Sequence, residues 1–215
     1  MRHIGSLLLA TGTALCCGGV QAQDLFSSTN TTVHSYNYVE VQYLIDMDTK
    51  PPVLASAVLD ITENWSLKAE YIQQDFGDIA GFFGESIPED VIVTLEGQIY
   101  SAGALYHKPL ESISQSDWIA GFMFGRLEAE LKAPQFGVSE SFSESFSEIY
   151  AGIRRTLTTE LEGEVAVNYY RSSDSSEVTG DVKLVYRLNE TFDVALAGNE
   201  LGGENVFGIG LRYAW

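Results

Sequence analysis

The chain has 215 residues, of which 30 are acidic and 12 are basic, and its formal net charge is −18 at pH 7. A chain this acidic is a poor partner for nucleic acid or for other anionic surfaces. Its mean hydropathy is nevertheless +0.01, which indicates that apolar and charged residues occupy separate zones. No segment after Ala22 holds roughly 18 consecutive apolar residues, and this pattern excludes membrane-spanning helices.

The N-terminus has the form of an export signal. A short basic start precedes an apolar run from Ile4 to Leu15, and residues 20–22 have the small-residue pattern of a cleavage site. We therefore predict a signal peptide over residues 1–22 and one mature domain over residues 23–215. Cys16 raises the alternative of a lipoprotein, but Leu15 is not the small residue that such signals place before the cysteine.

Ten segments of the mature chain alternate apolar residues with small or polar ones. The first puts Val39, Val41 and Tyr43 on one face and Glu40 and Gln42 on the other. This alternation is typical of strands with one lipid-facing side and one polar side. In chain order the segments lie near residues 33–45, 53–61, 65–75, 100–106, 118–125, 148–154, 164–169, 181–187, 192–197 and 207–215.

The connections between these segments alternate in length. Residues 61–65, 157–161 and 188–192 form tight, similar turns, and the turn after Tyr106, through Pro109 to Asp117, is longer. Residues 76–92 and 131–142 are predicted to form long or acidic loops. Outer-membrane barrels have short periplasmic turns and longer extracellular loops, so we place both termini on the periplasmic side.

These segments predict an all-β fold, an antiparallel up-and-down transmembrane β-barrel of about ten strands. An eight-stranded barrel that lacks the second and ninth segments is the main alternative. A soluble β-sandwich is a further alternative, but its aromatic residues would not sort by strand end. Here one girdle of aromatics falls at the predicted periplasmic ends, Trp65, Tyr106, Trp118 and Phe192 with Tyr213 and Trp215, and another lies toward the outer ends.

The export signal, the entry strand from Tyr36 to Val41, the recurring short turns and the aromatic C-terminus resemble small bacterial outer-membrane β-barrel proteins, a porin-like and opacity-protein-like group. The resemblance implies an outer-membrane location and contact with lipid and lipopolysaccharide. It also implies that the barrel-assembly machinery recognises Tyr213 and Trp215, with Trp215 replacing the more usual Phe. We expect a monomer.

Charged residues fall on the predicted inward face of the strands. They include both acidic and basic residues, so they can pair across the lumen and form a structural plug. Alternatively, they can line a narrow conduit for water, ions or a small solute. Both interpretations stay open here. The lumen-lining candidates are Glu40, Lys68, Glu70, Glu148, Arg154, Glu164, Asp181, Lys183, Arg187 and Arg212.

The sequence offers no catalytic or metal site. Enzymes on small outer-membrane barrels use His with Ser or acidic partners near the extracellular rim, but His34 and His107 map to periplasmic ends. The acidic loops lack the ligand spacing of a calcium loop, so we expect no cofactor and no metal. Loose bridging of divalent ions to lipopolysaccharide is the remaining alternative for Asp46, Asp48, Asp75, Asp78, Glu85, Glu89 and Asp90.

The predicted function is therefore a structural or narrow porin-like role in the outer membrane. The alternative is a surface binding or adhesion protein that acts through acidic extracellular loops. Residues 139–147, rich in Ser, Glu and Phe, are expected to form either an outer strand extension or an adhesive loop.

Overall fold

The computed structural model describes residues 21–22, 34–45, 52–78, 92–201 and 204–215. Ten antiparallel strands close into one barrel, in which each strand pairs with the next and the last pairs with the first. The strands are β1 Tyr38–Ile45, β2 Val53–Thr62, β3 Trp65–Asp78, β4 Thr94–Pro109, β5 Ser116–Ala133, β6 Val138–Thr156, β7 Leu161–Ser172, β8 Ser176–Arg187, β9 Phe192–Leu201 and β10 Glu204–Ala214.

The predicted all-β barrel of ten strands is confirmed, and the eight-stranded alternative is wrong because the second and ninth segments both form barrel strands. The barrel closes between β10 and β1, where the register runs from Phe207 opposite Ile45 to Ala214 opposite Tyr38. Closure gives the first and last strands two neighbours each, so their backbone groups find partners without water.

Two features lie outside the barrel wall. Residues Gln21–Ala22 pair with His34–Ser35 in a separate two-stranded ladder. A 3-10 turn, Pro134–Phe136, connects β5 to β6. The first 20 residues of the predicted signal peptide, including both cysteines, lie outside the described residues. Within the described ranges, no helix has the length and apolar character needed to cross a membrane.

The barrel wall has an apolar outer face and a largely polar inner face along most of its height. In β10, Phe207, Ile209 and Leu211 are 46 to 59% exposed, whereas Arg212 is fully buried inside. Exposed apolar side chains recur on all ten strands, from Val39 on β1 to Tyr213 on β10. A continuous apolar exterior of this kind suits lipid and is a liability in water.

Strands β5 and β6, with 18 and 19 residues, are much longer than β1, which has 8. A transmembrane strand needs about 9 to 11 residues, so the far ends of β3 to β6 continue beyond an apolar band of that height. We call residues 73–78, 94–98, 126–133 and 138–145 the surface extension. The opposite end of the barrel, where β1 begins and β10 ends, is called the terminal end.

The prediction of a loop over residues 131–142 is wrong. Lys132 and Ala133 end β5, Pro134–Phe136 form the 3-10 turn, and β6 begins at Val138. Of the two alternatives for residues 139–147, the strand extension is therefore the one observed. Within residues 76–92, the described part belongs to β3 up to Asp78 and resumes at Ile92, and residues 79–91 lie outside the described ranges.

Candidate functional site

Nine of the ten lumen-lining candidates are buried inside the barrel, each at most 5% exposed. Arg187 is half-buried near the end of β8. The nine buried candidates form three groups, which are described in turn from their shared contacts.

The first group is centred on the Glu40 carboxylate. The Lys183 ammonium lies 2.6 Å from Glu40 Oε1, and Arg212 Nε donates to Oε2 at 2.7 Å. Gln42 donates a further hydrogen bond to the same carboxylate. The Arg212 guanidinium also lies 4.4 Å from the centre of the Tyr38 ring. Glu40, Lys183 and Arg212 are at most 1% exposed, so one buried acid pairs with two buried cations.

The second group joins a buried ion pair between β6 and β7 to Tyr36, which lies two residues before β1. Arg154 pairs with Glu164 at 3.0 Å, and its guanidinium lies 4.5 Å from the centre of the Tyr36 ring. His107 also stacks on Tyr36, and the two rings are parallel to within 17° at a centroid distance of 3.6 Å. Tyr36 is fully buried, and burial raises the pKa of its hydroxyl well above the ordinary value.

Tyr36 belongs to a short segment that crosses the terminal end of the barrel. His34 Nδ1 lies 3.4 Å from Glu162 on β7, far from β1 in the barrel order. The Tyr36 backbone amide donates to Asp60 at 3.3 Å, and the Asp60 amide donates to Asn37 Oδ1 at 2.9 Å. We call residues 34–37 the N-terminal plug, because the buried side chains of His34 and Tyr36 fill the terminal end of the lumen.

A Ser-His-Asp group lies beside the N-terminal plug. The Ser66 hydroxyl donates to Asp60 Oδ1 at 2.6 Å and lies 3.0 Å from His107 Nε2. Asp60 also approaches His107 at Nε2, at 3.6 Å. A nucleophilic triad needs the acid on Nδ1 and the serine proton directed to the histidine, and neither condition holds. Alternation puts Ser66 and Asp60 on the inward face, but the sequence did not reveal their contact with His107.

The third group lies between these and the surface extension. Lys68 pairs with Glu70 at 2.7 Å and lies 5.4 Å from the centre of the Tyr150 ring. Asn168 donates a hydrogen bond to Asp181. Glu148 is fully buried at a similar height on β6. The charged candidates therefore occupy several levels of the lumen instead of one ring.

Apolar and aromatic side chains fill the space between the charged groups. One cluster of buried residues draws members from seven of the ten strands, so side chains from opposite walls touch in the middle. Its members are Tyr36, Tyr38, Val58, Leu105, Ile119, Tyr150, Ala166 and Ala214. The lumen at this level has the composition and burial of a protein core.

The aromatic residues of the predicted girdle lie side by side on the outer surface at the terminal end. The ring centroids of Trp65 and Tyr106 are 5.0 Å apart, and those of Tyr106 and Trp118 are 5.1 Å apart. A second row joins Phe192 to Tyr213 at 5.6 Å and Tyr213 to Trp215 at 6.0 Å. Their recognition by the assembly machinery stays a prediction.

The surface extension reverses the polarity of the barrel wall. On β5 the outward side chains change from Phe122 and Phe124 to Arg126, Glu128 and Glu130. On β4 and β5 the inward side chains of the extension are instead apolar, and they form with Val93 a buried cluster of Val93, Leu95, Leu127, Ala129 and Ala133. A polar outer face and an apolar inner face are what a sheet in water requires.

Ion pairs cover the outer face of the extension. Arg126 pairs with Glu128 at 3.1 Å, and Lys132 pairs with Glu96 at 3.1 Å and with Glu130 at 3.2 Å. Hydrogen bonds from Ser139 and Lys132 lower the pKa of the Glu130 carboxyl. A polar groove of about 490 Å³ lies here, lined among others by Gln73, Asp75, Glu96, Gln98, Arg126, Glu128, Ser141 and Ser143.

The predicted acidic loops are only partly described. Asp75 lies on β3 and lines the groove, and Asp78 ends the same strand. Across the described ranges, no group of three or more His, Cys, Asp or Glu side chains is placed to hold a metal ion. Asp46, Asp48, Glu85, Glu89 and Asp90 lie outside the described residues.

No protein-family model matches the sequence, and no curated protein matches it. Solved structures are similar in fold. The translocator domain of the autotransporter NalP from Neisseria meningitidis has a TM-score of 0.51 and 10% identity, covering 100% of this chain and 95% of that one. The KdgM porin, in complex with disordered oligogalacturonate, has a TM-score of 0.43 and 11% identity over 83% of this chain and 99% of that one.

The attachment invasion locus protein Ail of Yersinia pestis, in complex with the heparin analogue sucrose octasulfate, has a TM-score of 0.42 and 14% identity, with coverage of 83% of this chain and 94% of that one. Identities this low concern the fold alone. With the closed barrel and its apolar exterior, the likeness to the NalP translocator domain confirms the resemblance at that level: the chain has the fold of the bacterial outer-membrane β-barrel proteins.

Proposed function

We propose that the protein is an integral protein of the bacterial outer membrane whose lumen is closed, and that it acts through the surface extension. The observation that carries the proposal is contact across the lumen between fully buried side chains. Arg154 of β6 covers the Tyr36 ring, and Lys183 of β8 reaches Glu40 of β1. These four side chains are at most 1% exposed.

Burial supports one of the two interpretations of the charged lumen. A conduit keeps water in contact with the charged groups that line it, because that water carries the solute. Here Lys68, Arg154, Lys183 and Arg212 are at most 1% exposed, and each contacts a neighbouring carboxylate. The plug interpretation is therefore favoured over a narrow pore.

The surface extension supports the second half of the proposal. It adds 8 residues to β5 beyond the apolar band. These residues extend the strand by about 25 Å. Its polar outer face does not contribute to membrane insertion, and the apolar inward side chains of β4 and β5 keep it folded as a sheet. In the proposed orientation, with the terminal end in the periplasm, this sheet lies on the cell surface and is available to a partner.

The proposal assigns no catalytic role. Asp60 and His107 both contact Tyr36 of the N-terminal plug, and Ser66 hydrogen-bonds to these two residues, which supports a structural role for all three. We further propose that the protein is a monomer in contact with lipid and lipopolysaccharide.

Conductance tests the closed lumen. The purified protein, refolded in detergent, is added to planar bilayers beside a known porin as a positive control. We expect no current steps above those of the bare bilayer, while resistance of the barrel to protease in vesicles shows that it has inserted. Reproducible steps whose size depends on salt concentration would contradict the proposal and favour the narrow pore.

A further inference from the structure

Strand β6 has one uncovered edge within the surface extension. On one side, β5 pairs with it from Val138 to Arg155. On the other side, β7 pairs with it only from Phe146 to Thr156. Within the described part of the chain, residues 138–145 therefore have a strand neighbour on one side only. We call these eight residues the free edge.

The hydrogen-bond alternation shows which backbone groups face the free edge. The Thr156 amide donates to Gln115 on the β5 side, and the Leu157 amide donates to Leu161 on the β7 side. Neither ladder of β6 contains a register shift, so this alternation runs unbroken along the strand. The amides and carbonyls of Ser139, Ser141, Ser143 and Ser145 consequently face the free edge.

The free edge is accessible and carries few of the devices that block strand addition. Most of its residues are exposed, including Val138 at 42%. It contains no proline and no lysine, and its ladder to β5 has no bulge. An uncovered strand of this length is a template for a further strand, whose main-chain hydrogen bonds supply affinity.

The charge of the free edge indicates which kind of strand can pair with it. Glu140 and Glu144 flank Phe142 on the inward face of β6, and serines occupy the other face. Glu144 also accepts a hydrogen bond from Ser173 at 3.1 Å. A second copy of this chain, with its net charge of −18, would bring like charges together across the new pair, which is destabilising.

We propose that the free edge binds an extended segment of a partner protein by strand addition, and that this segment presents basic residues on either side of an apolar one. The basic residues lie opposite Glu140 and Glu144, and the apolar residue packs on Phe142. The inference rests on the proposed function, because it needs the extension to lie outside the membrane.

The probe is a fluorescently labelled peptide, Thr-Lys-Thr-Val-Thr-Lys-Thr, with a matched peptide in which both lysines are glutamates. Binding to the full barrel in nanodiscs is followed by fluorescence anisotropy. The variants Ser141→Pro and Ser143→Pro remove amides that face the free edge and leave the ladder to β5 intact. Ser141→Ala and Ser143→Ala are their matched controls, because they remove only the hydroxyl groups.

We expect the lysine peptide to bind, each proline variant to weaken it on the order of tenfold, and the alanine variants to leave it within about twofold. The double variant Glu140→Lys with Glu144→Lys should bind the glutamate peptide more tightly than the lysine peptide. This reversal keeps the inference falsifiable even if the proline variants fold poorly.

Three results would overturn the inference. They are no binding of the lysine peptide, equal binding by the proline and alanine variants, and self-association of the wild-type protein that the proline variants abolish. The last result would identify a second copy as the occupant. Conductance is measured separately, so a failure of peptide binding with a silent bilayer contradicts this inference and leaves the closed lumen standing.

Discussion

Glu40 is the residue on which the charge balance of the lumen depends most. It lies between Lys183 and Arg212, and all three side chains are removed from water. Buried ion pairs are not strongly stabilising compared with an apolar core, but the loss of one partner leaves the other charge unneutralised. Here the loss of a single acid would remove an ion-pair partner from two buried cations.

Glu40→Ala is therefore expected to lower the free energy of unfolding by about 3 to 5 kcal/mol. The measurement is urea unfolding of the refolded barrel in lipid vesicles, followed by tryptophan fluorescence. Glu128→Ala is the control, because its ion pair with Arg126 is exposed to water and contributes little. Equal effects of the two substitutions would contradict the assigned role of Glu40.

Gly121 on β5 provides the space for a lumen aromatic. A Cβ atom at this position would lie 2.0 Å from the Tyr150 ring, which belongs to the cross-lumen cluster. Gly121→Ala should displace that ring and cost about 1 to 3 kcal/mol of stability in the same unfolding assay. Gly180→Ala, where a Cβ meets nothing within 4 Å, should leave stability nearly unchanged. An unchanged free energy of unfolding for Gly121→Ala would show that Tyr150 is loosely packed.

Sequence alternation placed Glu40, Lys183 and Arg212 on the inward face without any structure. It could not pair them, because Glu40 and Lys183 are 143 residues apart and lie on strands that are not neighbours. Their contact depends on barrel closure and on side-chain length. For the same reason the stacking of Tyr36 on His107 has no signal in the sequence.

The surface extension shows how the alternation of apolar and polar residues changes where a strand continues beyond the apolar band. Along β5 the outward row turns polar after Phe124, and the inward row turns apolar from Leu127. The period of two persists, but its polarity is reversed. Polar, acidic residues around Lys132 and Ser139 therefore resembled a loop, although the row of Leu131 and Phe142 on the other face continues the strand pattern.

Shortening the hairpin tests whether the extension is separable from the barrel. In one variant an Asn-Gly turn replaces residues 128–143 and joins Leu127 to Glu144, which are directly paired. The remaining registers are unchanged, so we expect normal assembly, seen as a mobility shift on boiling in detergent gels. Binding of the lysine peptide should be lost. Failure of the shortened protein to assemble would show that the extension is part of the barrel fold.

At the scale of the whole molecule, the strand number and the closed, antiparallel order were predictable because lipid imposes simple rules. Backbone groups must pair within the barrel, and one face of each strand must be apolar. The lipid does not constrain the side chains inside the lumen, so both the plug and the pore stayed open at the level of sequence. Side-chain packing across the lumen, from Tyr36 to Tyr150, favours the plug.

The most direct test of the account is the lipid and water accessibility of β5. Single cysteines at the outward positions of Phe122, Phe124, Glu128 and Glu130 are spin-labelled in the mature protein, which contains no cysteine if the predicted signal is removed. In bilayers we expect labels at the two Phe positions to be relaxed by oxygen and those at the two Glu positions by a water-soluble nickel chelate. Equal access of the nickel chelate to all four positions would contradict a membrane barrel with an extension in water.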